Sequence, residues 1–167
     1  MTRRIVSSSH LVSEKAGELS EFEFGLIMAG NAFNRWITRG MAASGYDISA
    51  LEVLVLHALN HRARAKRLAD ICFTLNVEDT HTVNYAIKKL LKAGLVTRER
   101  RGKEQFYSAS PEGTSACETY RSVRETCLVD AFEAFGGIDP KEIESAARIM
   151  RALSGLYDQA ARSATSL

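Results

Sequence analysis

The sequence predicts a mainly α-helical protein with one small β-hairpin, an α+β mixture by class. Three observations lead there. Most of the chain places apolar residues at spacings of three and four, the period of an amphipathic helix. One stretch alone, Leu95 to Ala109, alternates loosely and turns at Arg101-Gly102-Lys103-Glu104, as a hairpin does. The helical segments are punctuated by Ser or Asp followed three residues later by Glu, and by glycines at their ends, which are start and stop signals.

Composition sets the bounds. The 167 residues suffice for one domain with a real core, and 46% hydrophobic with 25% charged residues is ordinary globular composition. The expected organisation is a single domain over residues 1–167. No apolar run approaches the roughly 20 residues that span a bilayer, and MTRRIVSSSHLVSEK lacks the apolar centre of a secretory signal. The expected location is the cytoplasm, with no membrane partner. Cys72, Cys117 and Cys127 are an odd number without pattern and are read as free thiols. The net charge of +2 hides an asymmetry: residues 62–103 hold 11 basic and 4 acidic side chains, while residues 104–167 hold 6 and 10. A positive field of that size favours polyanions.

The elements follow in order. Residues 1–19 are Ser-rich and weakly patterned, and are expected to be a flexible arm. Ser20 with Glu23 predicts a helix start, and Phe22, Leu26, Ala29, Phe33, Trp36 or Ile37, and Met41 carry its stripe to about Ser44. Ser49 with Glu52 opens the next helix, LEVLVLHALNH, which is apolar on nearly every side and so is expected to be central. Arg62, Arg64, Lys66 and Arg67 break that run, Leu68 to Leu75 form a short helix, and Asn76 closes a tight connection.

The next helix, VEDTHTVNYAIKKLLKAGLV, starts with Asp79 as cap and stops at Gly94. Val83, Ile87, Leu90 and Leu91 form its apolar stripe, and Thr80, His81, Thr82, Asn84, Tyr85, Lys88 and Lys89 its polar face. Such a helix can bury one face and present the other to a nucleic acid. After the hairpin, Ser110-Pro111-Glu112 starts a helix reaching Phe135, and Asp139-Pro140 starts the last one.

Two short helices joined by a tight turn, the second basic, followed by a basic hairpin, make a winged helix-turn-helix lobe over residues 47–110. The flanking helices, residues 20–44 and 111–162, carry more apolar stripe than one small core needs, so they are expected to dimerise. In a dimer two recognition helices would enter successive major grooves of double-stranded DNA. Asn84 would pair with adenine, with Thr80, His81 and Thr82 on base edges or thymine methyls. Lys88, Lys89, Arg62 and Arg64 would meet phosphates, and Arg98, Arg100, Arg101 and Lys103 of the wing would reach the backbone or minor groove. The polar face with Tyr85 completes the candidate interface.

Other chemistry is thinly represented. His57 and His61 stand four apart, a spacing able to hold a metal, but no Cys-x-x-Cys or His-rich cluster supports them, and a helix so apolar more often holds a core histidine. Cys72, near Lys66 and Arg67, is the best candidate for a redox thiol, against the simpler reading of a small core residue. No glycine-rich phosphate loop, nucleophile elbow or His-Glu-x-x-His motif occurs, so neither enzyme activity nor a cofactor is expected.

The chain resembles the MarR family of winged-helix transcriptional regulators. The residues that carry the resemblance are Leu68-Ala69-Asp70-Ile71, Thr82-Val83 followed by Leu90, Gly94-Leu95-Val96 entering the wing, and Ser110-Pro111-Glu112-Gly113 after it, with the helix order covering about residues 20–162. The family's wing usually carries an aspartate followed by an arginine that anchors it. Arg100-Arg101-Gly102-Lys103 has no aspartate, so this wing is either shorter or held differently. The resemblance implies a homodimeric repressor on a pseudo-palindromic operator, with a small-molecule effector pocket beside the dimer helices. Met28, Phe33, Trp36 and Tyr46 are its candidate lining, or else part of the dimer core. The alternatives are a winged helix that binds a protein partner, and a metal- or thiol-responsive sensor of the same fold.

Overall fold

The computed structural model describes residues 15–136 and 138–167. The chain divides into two compact units, Met1–Glu125 and Thr126–Leu167.

In the first unit, α1 (Gly17–Ala43) is followed by α2 (Ala50–Asn60), a single 3-10 turn (His61–Ala63), α3 (Leu68–Leu75) and α4 (Thr80–Lys92). Strands β1 (Val96–Arg101) and β2 (Glu104–Ala109) then pair antiparallel, and α5 (Pro111–Arg124) closes the unit. α2 is the central element, as its all-round apolar sequence requires: Val53, Val55, Leu56 and Leu59 are buried. Around it pack Ile37 and Met41 of α1, Ile71 and Cys72 of α3, Val83, Ala86, Ile87 and Leu90 of α4, and Ala116, Cys117 and Tyr120 of α5. The capping box at Ser49 and Glu52 forms as expected.

α1 starts earlier than its sequence signals. Ser20 is not its cap but lies buried inside the helix, which begins at Gly17 with Glu18 in the first turn, where a carboxylate suits the helix dipole. The expected arm thus ends short of residue 17, and its first 14 residues lie outside the described ones.

Two close contacts join the wing to α5. The Ser110 hydroxyl accepts from Gly113 N as N-cap and donates to the Gly94 carbonyl at 2.7 Å. A Cβ placed on Gly113 would lie 2.0 Å from the Leu95 carbonyl oxygen. The Ser-Pro-Glu-Gly step is therefore a docking point of backbone on backbone, and only glycine fits its last position.

A π-helical turn (Glu125–Val129) begins at the last residue of the first unit and, in the second unit, leads to α6 (Asp130–Phe135) and then α7 (Pro140–Ala164). The single helix expected from Pro111 to Phe135 is interrupted by that turn. A π turn inserts one extra residue and shifts the apolar stripe by one position, which is why the sequence offers Cys127 and Leu128 equally for it. The α7 capping box at Asp139 and Glu142 is present. Neither α6 nor α7 has a buried residue. No helix among the described residues is long and apolar enough to cross a membrane.

Candidate nucleic-acid interface

α4 is built as a helix with one buried and one open face. Asp79 caps it, accepting from His81 N at 2.9 Å, and the Thr82 hydroxyl donates to the Asp79 carbonyl. Gly94 ends it with a left-handed φ of +74°, and Leu95 N returns to the Leu90 carbonyl at 3.0 Å. Val83, Ala86, Ile87 and Leu90 are buried, while Thr80, His81, Thr82, Tyr85 and Lys88 are exposed and Asn84 half-buried.

The rotation of this helix is pinned by an ion pair. The Lys89 ammonium lies 2.6 Å from a Glu52 carboxylate oxygen, and the Glu52 side chain is only 4% exposed. Burial pushes the Glu52 carboxyl up, but the bonds from Lys89 and Ser49 outweigh it and hold it below the usual range. Lys89 is raised in turn by its bond to Glu52. Its charge thus faces α2, whereas Lys88 forms no ion pair among the described residues.

The wing is held by α3 and the segment before it. β1 and β2 pair from Val96↔Ala109 to Arg101↔Glu104, with Gly102 at φ +62° in the turn. Lys66 adds a bridge, its N donating to the Tyr107 carbonyl at 2.9 Å and its carbonyl accepting from Tyr107 N at 2.8 Å. Arg67 grips Asp70 and also reaches Glu104 at 3.1 Å, so a glutamate of β2 and an arginine outside the wing do the anchoring. At the tip, Arg101 pairs with Glu99 at 2.9 Å and lies over the Phe106 ring, and Arg100 Nε donates to the Gly102 carbonyl. Among the described residues the side chains of Arg98 and Lys103 form neither a hydrogen bond nor an ion pair, and the same holds for the guanidiniums of Arg62 and Arg64 in the loop after α2.

The proposed interface residues therefore fall into two groups. Arg62, Arg64, Lys88, Arg98 and Lys103 present uncommitted charge. Lys89 and Arg101 are tied to carboxylates, which depend on tertiary pairing that spacing does not reveal for Lys89 and Glu52, 37 positions apart. Sequence reading missed Lys66 and Arg67 as supports of the wing, because their partners Tyr107 and Glu104 are distant in the chain.

The remaining candidates lie elsewhere. Met28 and Phe33 on α1 are exposed, Trp36 packs on the core with its ring 6.4 Å from that of Tyr120, and the Tyr46 hydroxyl donates to Glu112. The His57 ring lies 4.8 Å from that of Tyr120, tilted by 59°, its Nε2 is buried without a hydrogen-bond partner among the described residues, and burial lowers its pKa. His61 is exposed, and no group of three or more His, Cys, Asp or Glu suited to a metal occurs among the described residues. Burial pushes the Cys72 thiol up, and the Cys117 thiol up to about 11, both away from the reactive thiolate.

This lobe is a winged helix: residues 48–113 match a family model described as a winged helix DNA-binding domain. The wider fold is that of MarR family regulators. A mutant MarR from E. coli, solved complexed with operator DNA, is 16% identical with a TM-score of 0.67 over 84% of this chain and 99% of that one. A MarR family regulator from Neisseria meningitidis is 16% identical with a TM-score of 0.64, over 85% and 94%. CouR from Rhodococcus jostii, bound to p-coumaroyl-CoA, is 14% identical with a TM-score of 0.62, over 87% and 95%. No curated protein matches the sequence. The resemblance read from Leu68-Ala69-Asp70-Ile71, Gly94-Leu95-Val96 and Ser110-Pro111-Glu112-Gly113 thus holds for the fold.

Proposed function

We propose that this protein is a dimeric, sequence-specific DNA-binding transcriptional regulator of the MarR type, a repressor that occupies a pseudo-palindromic operator. The observation that carries the reading is the α4 face: polar side chains stand open on a helix whose other side is core, on a lobe that also carries the uncommitted cations of the Arg62–Arg64 loop and the wing. Uncommitted cations pay the desolvation of phosphate contact without first breaking an internal pair. Asn84, Thr80, His81, Thr82 and Tyr85 are assigned to base edges and the sugar–phosphate rim, and Lys88, Arg62, Arg64, Arg98, Arg100 and Lys103 to phosphates and the minor groove.

Two of the acids near this face have internal roles: Asp79 is engaged as a helix cap, and Glu99 is ion-paired with Arg101. The solved E. coli MarR relative was complexed with operator DNA, and the Rhodococcus relative with p-coumaroyl-CoA. By that analogy we assign the operator reading and an effector site near Trp36 and Tyr46. Met28, Phe33 and the apolar residues of α7 are assigned to the dimer contact.

The test is a salt titration of binding to duplex DNA. Affinity is expected to fall steeply as salt rises, and Arg100→Ala with Arg101→Ala to flatten the slope by about 1 per protomer, Arg101 being partly held by Glu99. Binding that does not respond to salt would remove the DNA reading.

A further inference from the structure

Lys66 is buried, yet no carboxylate meets its ammonium. It donates instead to main-chain carbonyls: His61 at 2.7 Å, with longer contacts to Leu59 and Arg64 at 3.4 Å. These carbonyls belong to the last turn of α2 and the loop after it, where a cation suits the helix dipole. Inside that loop Arg62 and Ala63 have φ of +60° and +44°. Left-handed backbone is unfavourable for residues other than glycine and persists only where the surroundings impose it. The loop's two guanidiniums, Arg62 and Arg64, are both exposed and unpaired. Asp70 feels the charge of Arg64, but its carboxylate is gripped by Arg67 and makes no ion pair with either loop arginine. From the other side the Lys66 backbone is fixed to Tyr107 of β2 by two hydrogen bonds.

We infer that Lys66 is a positioning residue for nucleic-acid binding: its ammonium gathers the carbonyls of the 59–64 segment, imposes the left-handed turn, and so aims Arg62 and Arg64 outward in fixed register with the wing. This rests on the DNA reading above and adds to it a residue that touches no phosphate itself. Arg62 and Arg64 repel each other and the Lys66 ammonium, so it is the bonds from Lys66 to the carbonyls, not its charge, that hold the turn closed. An ammonium suits the task because it offers three rotatable donors to carbonyls that converge from different directions.

The experiment uses the full chain and a mixed-sequence duplex of about 30 base pairs, long enough for two half-sites. Affinity is measured against salt for wild type, Lys66→Met, the pair Arg62→Ala with Arg64→Ala, and the triple variant. The arginine pair should flatten the log–log slope by about 2 per protomer, because two phosphate contacts are lost. Lys66→Met should flatten it nearly as much, and in the triple variant should add less than about a 2-fold loss, since coupled residues are not additive. A second perturbation spares every charge: one glycine inserted between Arg64 and Ala65 should lower affinity and flatten the slope like Lys66→Met, and it serves alone if Lys66→Met does not fold. If the arginine pair leaves the slope unchanged, the loop does not meet phosphate and the DNA assignment of Arg62 and Arg64 fails. If the arginine pair flattens the slope while Lys66→Met and the insertion leave it intact, or Lys66→Met costs the same with and without the arginines, the positioning role alone fails.

Discussion

The two units of this chain treat their apolar residues in opposite ways. In the first, the winged-helix lobe places Leu56, Leu59, Ile71, Ile87 and Leu90 at 1% exposure or less around α2. In the second, α6 and α7 bury nothing, and Phe132, Phe135, Ile143, Ile149, Met150 and Leu156 stand open at 42% to 73%. Both sequences have helical periodicity, so periodicity alone does not make a core. The lobe closes because its helices differ in kind, with one apolar all round and the others apolar on one side. The α6–α7 pair leaves its stripes exposed, and the residues of the α7 stripe are those assigned above to the proposed dimer contact.

The sharpest way to break that contrast is to charge the α7 stripe. Ile149→Asp with Met150→Asp is expected to weaken self-association by about a thousandfold, near 4 kcal/mol, while the lobe keeps its fold. Light scattering with gel filtration reads the mass, and a dimer unaffected by both charges would place the contact elsewhere. In the lobe the corresponding lesion is steric. Gly113→Ala drives a Cβ into the Leu95 carbonyl, and a cost of about 3 kcal/mol is expected in the denaturant midpoint, because backbone meets backbone and neither side chain yields.

A smaller effect is expected at the ion pair beneath α4. Lys89→Met leaves Glu52 buried without its cation and should lower the denaturant midpoint at neutral pH, by less than Gly113→Ala does. Its pH dependence is distinctive. In the wild type the folded Glu52 carboxyl sits below its unfolded value, so its contribution is complete above the unfolded carboxylate range and is lost as pH falls through the lower folded value. Without Lys89 the burial contribution gains weight, so that stabilisation shrinks and with it the loss of stability on acidification. Thermal midpoints of both proteins between about pH 3 and pH 7 check this, and identical profiles would show that the pair does not hold the helix.

Legibility from sequence follows the range of the interaction. The α4 cap at Asp79, the stop at Gly94, the box at Ser49 and Glu52, and the hairpin turn at Gly102 rest on contacts within a few residues, and each stands where its local pattern puts it. The start of α1 was misread because Ser20 and Glu23 mimic a capping box inside a helix that already runs from Gly17. What anchors the wing was beyond reach: Arg67–Glu104 and Lys66–Tyr107 join residues about forty apart, and no periodicity encodes such pairs. The same limit applies to the interface. The eleven cations of residues 62–103 are plain in the sequence, but which of them are committed internally, as Lys89 and Arg67 are, is a property of the fold.

The central claim is that two copies of one polar, cation-bordered helix face address a duplex together. Selection of bound duplexes from a random DNA pool by the full chain tests it most directly. The account predicts an enriched motif with two-fold symmetry whose half-sites lie about 10 base pairs apart. Enrichment of no sequence, or of a motif without two-fold symmetry, would contradict it.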